Sequence, residues 1–147
     1  MSYRQLLYQV VFSTKYRHPT LLKPNRAQLY AYMQGLLTNK KCFVHRINGI
    51  EDHLHIALDI HPSNSISDLI RDLKTSSNKF IRDNSLFPAF TKWQEGYSIF
   101  SYHIEAKPNL VRYIDRQEIH HQKTPYITEL KTLLAEHQID YDERYLE

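Results

Sequence analysis

CFVHRINGIEDHLHIALDI, residues 42–60, holds two strand-like runs, Cys42 to Ile50 and His53 to Ile60, separated by the short polar pair Glu51 and Asp52. That break has the length and composition of a hairpin connection. Along a strand, successive side chains point to opposite faces. Leu54, Ile56, Leu58 and Ile60 therefore share one face of the second run, and His53, His55, Ala57, Asp59 and His61 share the other. The apolar face requires helices to cover it, and both strands are expected to lie mid-sheet.

Upstream, Leu6 to Ser13 is rich in Val, Phe, Tyr and Leu and runs into the polar, Pro-containing segment Lys15 to Pro19, a buried strand entering a loop. Pro24 suits a helix first turn, and Leu29, Tyr32, Met33, Leu36 and Leu37 recur at helical spacing before Thr38 and Asn39. Downstream, Ser65 followed by Asp68 resembles a capping box for a helix with an apolar stripe of Ile66, Leu69, Ile70, Leu73, Phe80 and Ile81. Tyr97 to Ile104 reads as a fourth strand, Pro108 opens a third helix with Leu110, Val111 and Ile114, and Ile127 to His137 makes a last helix. The order is βαββαβ followed by helices. This is an α+β class, the ferredoxin-like or RRM-like antiparallel sheet with helices on one face and additional C-terminal helices left to place.

With 147 residues, three glycines and no repeat or low-complexity linker, the chain is expected to form one domain over residues 1–147. The apolar run in the first seventeen residues is too short for a membrane span and no secretory cleavage pattern follows it, so a cytoplasmic protein with no membrane partner is expected. Cys42 is the single cysteine, which excludes an intramolecular disulfide and a thiolate zinc cluster. Any metal must use His, Gln, Asp or Glu. Lys plus Arg number 19 against 16 Asp plus Glu, a balance that permits nucleic-acid binding without requiring it. Basic residues gather at Lys15 to Arg17, at Lys40 to Arg46 and on the Arg71, Lys74, Lys79, Arg82 helix, whereas acidic residues crowd between Glu129 and Glu147.

Two imidazoles at i and i+2 on a strand face the same way at a separation one metal ion can bridge, so His53 and His55 are candidate ligands. With nine histidines in the chain, the same pair also arises without a site. Tyr113 and Gln117, four apart on the expected third helix, would stack a phenol and an amide oxygen on one face. Between Leu110 and Ile114, Tyr113 reads equally as a packing residue. His120 and His121 fit either groups that support the metal ligands or contact DNA, or a solvated helix end; Asp59 and His61 flank the histidine pair; Trp93 and Tyr97 could stack on bases but better fit a core or a dimer seam.

Five ordered segments carry a resemblance over nearly the whole chain: VVFSTKYR at 10–17, DHLHIAL at 52–58, DLIRDLKTSS at 68–77, FTKWQEGYSIFS at 90–101 and VRYIDRQEIHH at 111–121. Together they resemble the small single-tyrosine transposases of minimal bacterial insertion sequences, members of the HUH (histidine, hydrophobe, histidine) endonuclease superfamily. The resemblance implies that His53 and His55 bind the metal with Gln117 as third ligand, and that Tyr113 is the nucleophile. It implies Mg2+ or Mn2+, a 5′-phosphotyrosine intermediate, single-stranded DNA with hairpin-bearing ends as substrate, and a homodimer with a shared sheet. Lys15, Arg71 and Lys74 are candidates for the basic DNA groove. The pair Tyr102 and His103 departs from the small residues the resemblance implies there, which bears on packing or DNA contacts of the fourth strand.

Three other readings compete. An RRM-like nucleic-acid-binding module would show exposed aromatics on strands one and three, where this strand three offers histidines. A phosphodiesterase using its histidines as acid and base would survive loss of Tyr113. A domesticated relative would act on host repeat sequences.

Overall fold

Strand β1 (Leu7–Ser13) is buried along nearly its whole length because it runs between two other strands and under helices on both faces, in a computed structural model that describes residues 2–146. The other elements are α1 (Lys23–Asn39), β2 (Phe43–Gly49), β3 (His53–Asp59), α2 (Ile66–Asp83), β4 (Ser98–Tyr102), α3 (Lys107–Asp115), α4 (Gln117–His121) and α5 (Tyr126–Glu136). The sheet order is β2-β3-β1-β4, every neighbour antiparallel, which is the expected ferredoxin-like arrangement. Register places Val11 opposite His55 and Ser13 opposite His53.

The alternation read in β3 sorts the molecule into layers. Leu54, Ile56 and Leu58 join Val10 and Phe12 in a core closed by Leu29, Met33 and Leu37 of α1 and Leu69, Ile70 and Leu73 of α2. Ser65 caps α2 by accepting the Asp68 N–H at 3.4 Å. Trp93 seals the far end of this core, its ring edge-on to Phe12 and its indole N–H donated to Ser77. The C-terminal helices cover the other face. Leu110 and Ile114 of α3 pack on Leu7 and Ala57, and Tyr126, Leu130, Leu133 and Leu134 of α5 pack on Val11 and Phe100.

Two expectations are corrected. Strand β2 lies at the sheet edge rather than mid-sheet, pairing only with β3 among the described residues. Its exposed Phe43, its His45 and Arg46 and a register shift between Val44 and Arg46 suit an edge, where charge and irregularity discourage further pairing. The expected third helix is broken at Arg116, so Tyr113 lies on α3 and Gln117 on α4. The carbonyl of Ile114, which a continuing helix would bond internally, accepts instead from the Asn48 side chain of β2 at 2.9 Å, and Arg46 pairs with Asp115 at 3.0 Å. Among the described residues no helix is long and apolar enough to cross a membrane.

Candidate metal and nucleophile site

His53 and His55 stand on the β3 face turned toward α4 and α5, and both are fully buried. A buried imidazole needs a partner on each nitrogen. Asp52 Oδ1 lies 2.7 Å from His53 Nδ1, and Gln9 Oε1 lies 2.6 Å from His55 Nδ1. Gln9 is itself fixed, because its amide N–H donates to the Tyr102 hydroxyl at 2.7 Å. The departure noted at Tyr102 thus has a structural role, holding the amide that orients His55.

The Nε2 atoms of both rings point at Glu129 of α5, with Oε1 at 3.2 Å from His53 and 3.1 Å from His55. His121 at the end of α4 brings a third Nε2 to 3.0 Å from the same oxygen. Gln117 is buried beside them, its Oε1 3.2 Å from His53 Nε2 and its amide N–H donated to Glu129 Oε2 at 3.2 Å. The Tyr113 hydroxyl donates to Glu129 Oε2. One carboxylate therefore faces the histidines with one oxygen and the tyrosine with the other. Tyr113 and Glu129 also line a cleft of about 370 Å³ with Tyr102, Leu110 and His120.

Charge follows burial and neighbours. Burial lowers His55 to about 4, leaving that ring neutral at ordinary pH. Burial acts in the same sense on His53, but hydrogen bonds to Asp52 and Glu129 outweigh it and raise this group. Burial would raise Glu129, yet His121, His53 and His55 hold its carboxyl well below the usual carboxylate range. Burial and the Glu129 charge push the Tyr113 phenol far up, so it is held as a neutral hydrogen-bond donor.

Four donors, from His53, His55, His121 and Glu129, lie within 4.8 Å of one another, a span one divalent ion can draw together with bonds of about 2.1 Å. The residues fit a metal ion. His121 Nε2 is buried and makes no hydrogen bond although it lies 3.0 Å from Glu129 Oε1, and the same holds for His120 Nε2, 3.4 Å from Oε2 on the tyrosine side. That is the state expected of a ligand nitrogen.

The structure brings His53, His55, Tyr113 and Gln117 together. Arg71 and Lys74 belong to α2, in the layer across the sheet from the histidines. Arg71 is exposed and paired with Asp68 and Asp72. The Lys74 ammonium donates to the carbonyls of Gln94, Glu95 and Gly96 at 2.8, 3.3 and 2.5 Å, and burial lowers it to about 8. Lys15 lies in the turn after β1 with its ammonium 4.7 Å over the Tyr16 ring.

Sequence reasoning missed Glu129 and discounted His121 as a solvated helix end, whereas the His121 side chain is only 3% exposed. A signal for Glu129 did exist. It falls between Tyr126, Leu130 and Leu133 on the buried stripe of α5, where an unpaired carboxylate would be costly.

The sequence model of the family described as "Transposase IS200 like" matches residues 2–117. The chain belongs to this transposase family. No curated protein matches it. Among solved structures, this transposase chain is similar to a candidate transposase from Deinococcus radiodurans R1, with TM-score 0.61 and 22% identity over 80% of this chain and 95% of that one. It is also similar to a REP-associated tyrosine transposase bound to a REP hairpin, with TM-score 0.59 and 13% identity over 82% of this chain and 74% of that one. Both share its fold. The family match stops at Gln117, so His121 and Glu129 lie beyond the part of this transposase that the family model covers.

Proposed function

We propose that this chain is a DNA transposase that cleaves and rejoins single-stranded DNA at the ends of its element through a 5′-phosphotyrosine at Tyr113. The observation that carries this reading is the shared carboxylate: Glu129 receives the Tyr113 hydroxyl on one oxygen and faces His53 and His55 with the other. Nucleophile and candidate metal ligands are thus one carboxylate apart. A divalent ion, Mg2+ or Mn2+ by family resemblance, held by His53, His55 and Gln117 would neutralise a scissile phosphate oxygen.

The chain's own residues do the rest. Because Tyr113 is held as a neutral phenol, its proton leaves during attack, toward the acceptor it already faces, Glu129 Oε2. The Tyr113 oxygen forms the new bond to phosphorus while the bond from phosphorus to the 3′ oxygen breaks, and that oxygen takes a proton from water to become a free hydroxyl. Attack by a 3′-hydroxyl on the phosphotyrosine reverses these bonds and rejoins the strand without ATP.

The substrate in this reading is single-stranded DNA with hairpin ends, entering by the cleft beside Tyr113; Lys15 and, for DNA that reaches round to the α2 layer, Arg71 and Lys74 are the candidate backbone contacts. The unit is one domain over residues 1–147, working in the cytoplasm. A homodimer with a shared sheet would use the outer edges of β2 and β4, which pair with no strand among the described residues. The RRM-like reading has little support, since Gln9, Val11, His53 and His55 on the corresponding sheet face are buried beneath helices and offer no open stacking surface.

The test is incubation with labelled single-stranded DNA from the flanks of the gene, with Mn2+ or EDTA, comparing wild type and Tyr113→Phe on a denaturing gel. A DNA-shifted band in wild type with Mn2+, absent in EDTA and in the variant, is the expected result. An adduct that persists in Tyr113→Phe, or binding without adduct across several DNA ends, overturns the reading.

A further inference from the structure

His53, His55 and His121 are each held in one tautomer by their outer nitrogen. The Nδ1 partners are the Asp52 carboxylate at 2.7 Å, the Gln9 amide oxygen at 2.6 Å and the Thr124 carbonyl at 2.5 Å. A carboxylate, an amide oxygen and a carbonyl accept hydrogen bonds and do not donate them, so Nδ1 carries a hydrogen in each ring and Nε2 is the nitrogen left to face a cation. All three Nε2 atoms converge on Glu129 Oε1, at 3.2, 3.1 and 3.0 Å, and Gln117 Oε1 lies 3.2 Å from that of His53.

Four acceptors around one small space repel one another unless a cation sits among them. Charging all three rings is no remedy, since the His53 ring centroid is only 5.0 Å from that of His55 and 4.5 Å from that of His121, and one shared cation serves the three nitrogens where three buried imidazolium ions would crowd together. Gln117 supplies no proton to this oxygen either, because its amide N–H groups go to Glu129 Oε2 and to the Tyr113 carbonyl. Outer partners that fix ring orientation and leave the inner nitrogen bare are the usual support of metal-bound histidine.

We propose that His121 and Glu129 complete the metal site, so that three imidazoles and a carboxylate hold the ion together with the Gln117 amide oxygen, and that this set takes Mn2+ in preference to Mg2+. The inference rests on the reading of His53 and His55 as metal ligands in the proposed function. Its second half follows from donor chemistry: Mg2+ favours oxygen ligands and water in a near-ideal octahedron, whereas imidazole nitrogen suits first-row transition ions. Glu129 then joins the ion to the nucleophile, its Oε1 on the metal and its Oε2 under the Tyr113 hydroxyl. The ion also ties β3 to α4 and α5.

The experiment titrates Mn2+ into the chelator-treated full chain without DNA, follows binding by loss of the free-ion electron paramagnetic resonance signal, and counts coordinated imidazoles by electron spin echo modulation of the bound ion. Three coordinated imidazoles are expected in the wild type and two in His121→Ala, with affinity for Mn2+ weakened by about tenfold or more. An equal concentration of Mg2+ is expected to leave Mn2+ bound. Two imidazoles in the wild type overturn the ligand assignment even if His121→Ala does not fold, and displacement by equimolar Mg2+ overturns the preference. Adduct formation with only two imidazoles would sink this inference while the transposase reading stands; three imidazoles without any adduct would do the reverse.

Discussion

His55 is the residue whose surroundings make the simplest solution prediction. In metal-free protein its folded value is lowered to about 4 by burial, while an unfolded histidine titrates near 6.5. Between those values the unfolded chain binds a proton that the folded chain refuses, so stability falls as pH falls. His53 is raised, so its contribution is fully present below 6.5 and is lost only at higher pH, outside this window. Denaturant unfolding in EDTA is expected to lose on the order of 1.5 kcal/mol between pH 6.5 and pH 5, and His55→Gln to flatten that slope. A slope unchanged by the substitution would assign the effect elsewhere. Lys74 gives a second case. With three carbonyls on its ammonium it ties the segment after Trp93 to α2, so Lys74→Met should destabilise by about 1–3 kcal/mol and speed hydrogen exchange near Gly96. If thermal stability is unchanged and only DNA affinity falls, Lys74 is a DNA contact instead.

At the level of elements, the β2–β3 hairpin determines where both histidines stand. Gly49 is required at its end because a Cβ there would meet the His53 carbonyl oxygen at 2.2 Å and Leu54 Cα at 2.8 Å, both backbone atoms that cannot swing away. Gly49→Ala is expected to destabilise by about 1–3 kcal/mol through overpacking. It should also lower Mn2+ affinity, because the displaced carbonyl belongs to a ligand residue. Unchanged unfolding and metal binding would show that the hairpin yields at low cost. The same hairpin reaches across to the tyrosine: Asn48 holds the carbonyl of Ile114, and Arg46 holds Asp115, at the joint between α3 and α4. That joint lets Tyr113 and Gln117 approach Glu129 from two short helices instead of one straight one.

On the scale of the whole molecule, the second face of the sheet carries the site as buried contents, between β1 and β3 below and α3, α4 and α5 above. A ligand that binds only the folded arrangement stabilises it by mass action, about 2.7 kcal/mol at a hundredfold excess over Kd, or roughly 5–10 °C in Tm. Mn2+ should therefore raise the Tm of the wild type and leave that of His53→Ala almost unmoved. An equal rise in both would place the ion elsewhere on the chain.

The sequence by itself determined the local features. Alternation along β3 put His53 and His55 on the face opposite Leu54 and Ile56, because strand period is a property of the backbone. Helical stripes and caps located α1, α2 and α5 to within a residue or two. Tyr113 and Gln117 became legible through resemblance, since one tyrosine among eleven has no local mark of a nucleophile. Tertiary structure alone decided that β2 is an edge, that the helix breaks after Asp115, and that the acidic C-terminal stretch donates one carboxylate to the site. Glu129 lies 74 residues from His55 in the chain, and its role exists only where α5 lies back across the sheet. Pattern within a window records which way a side chain points from its own backbone; which distant groups share its space depends on how separate apolar faces pack together.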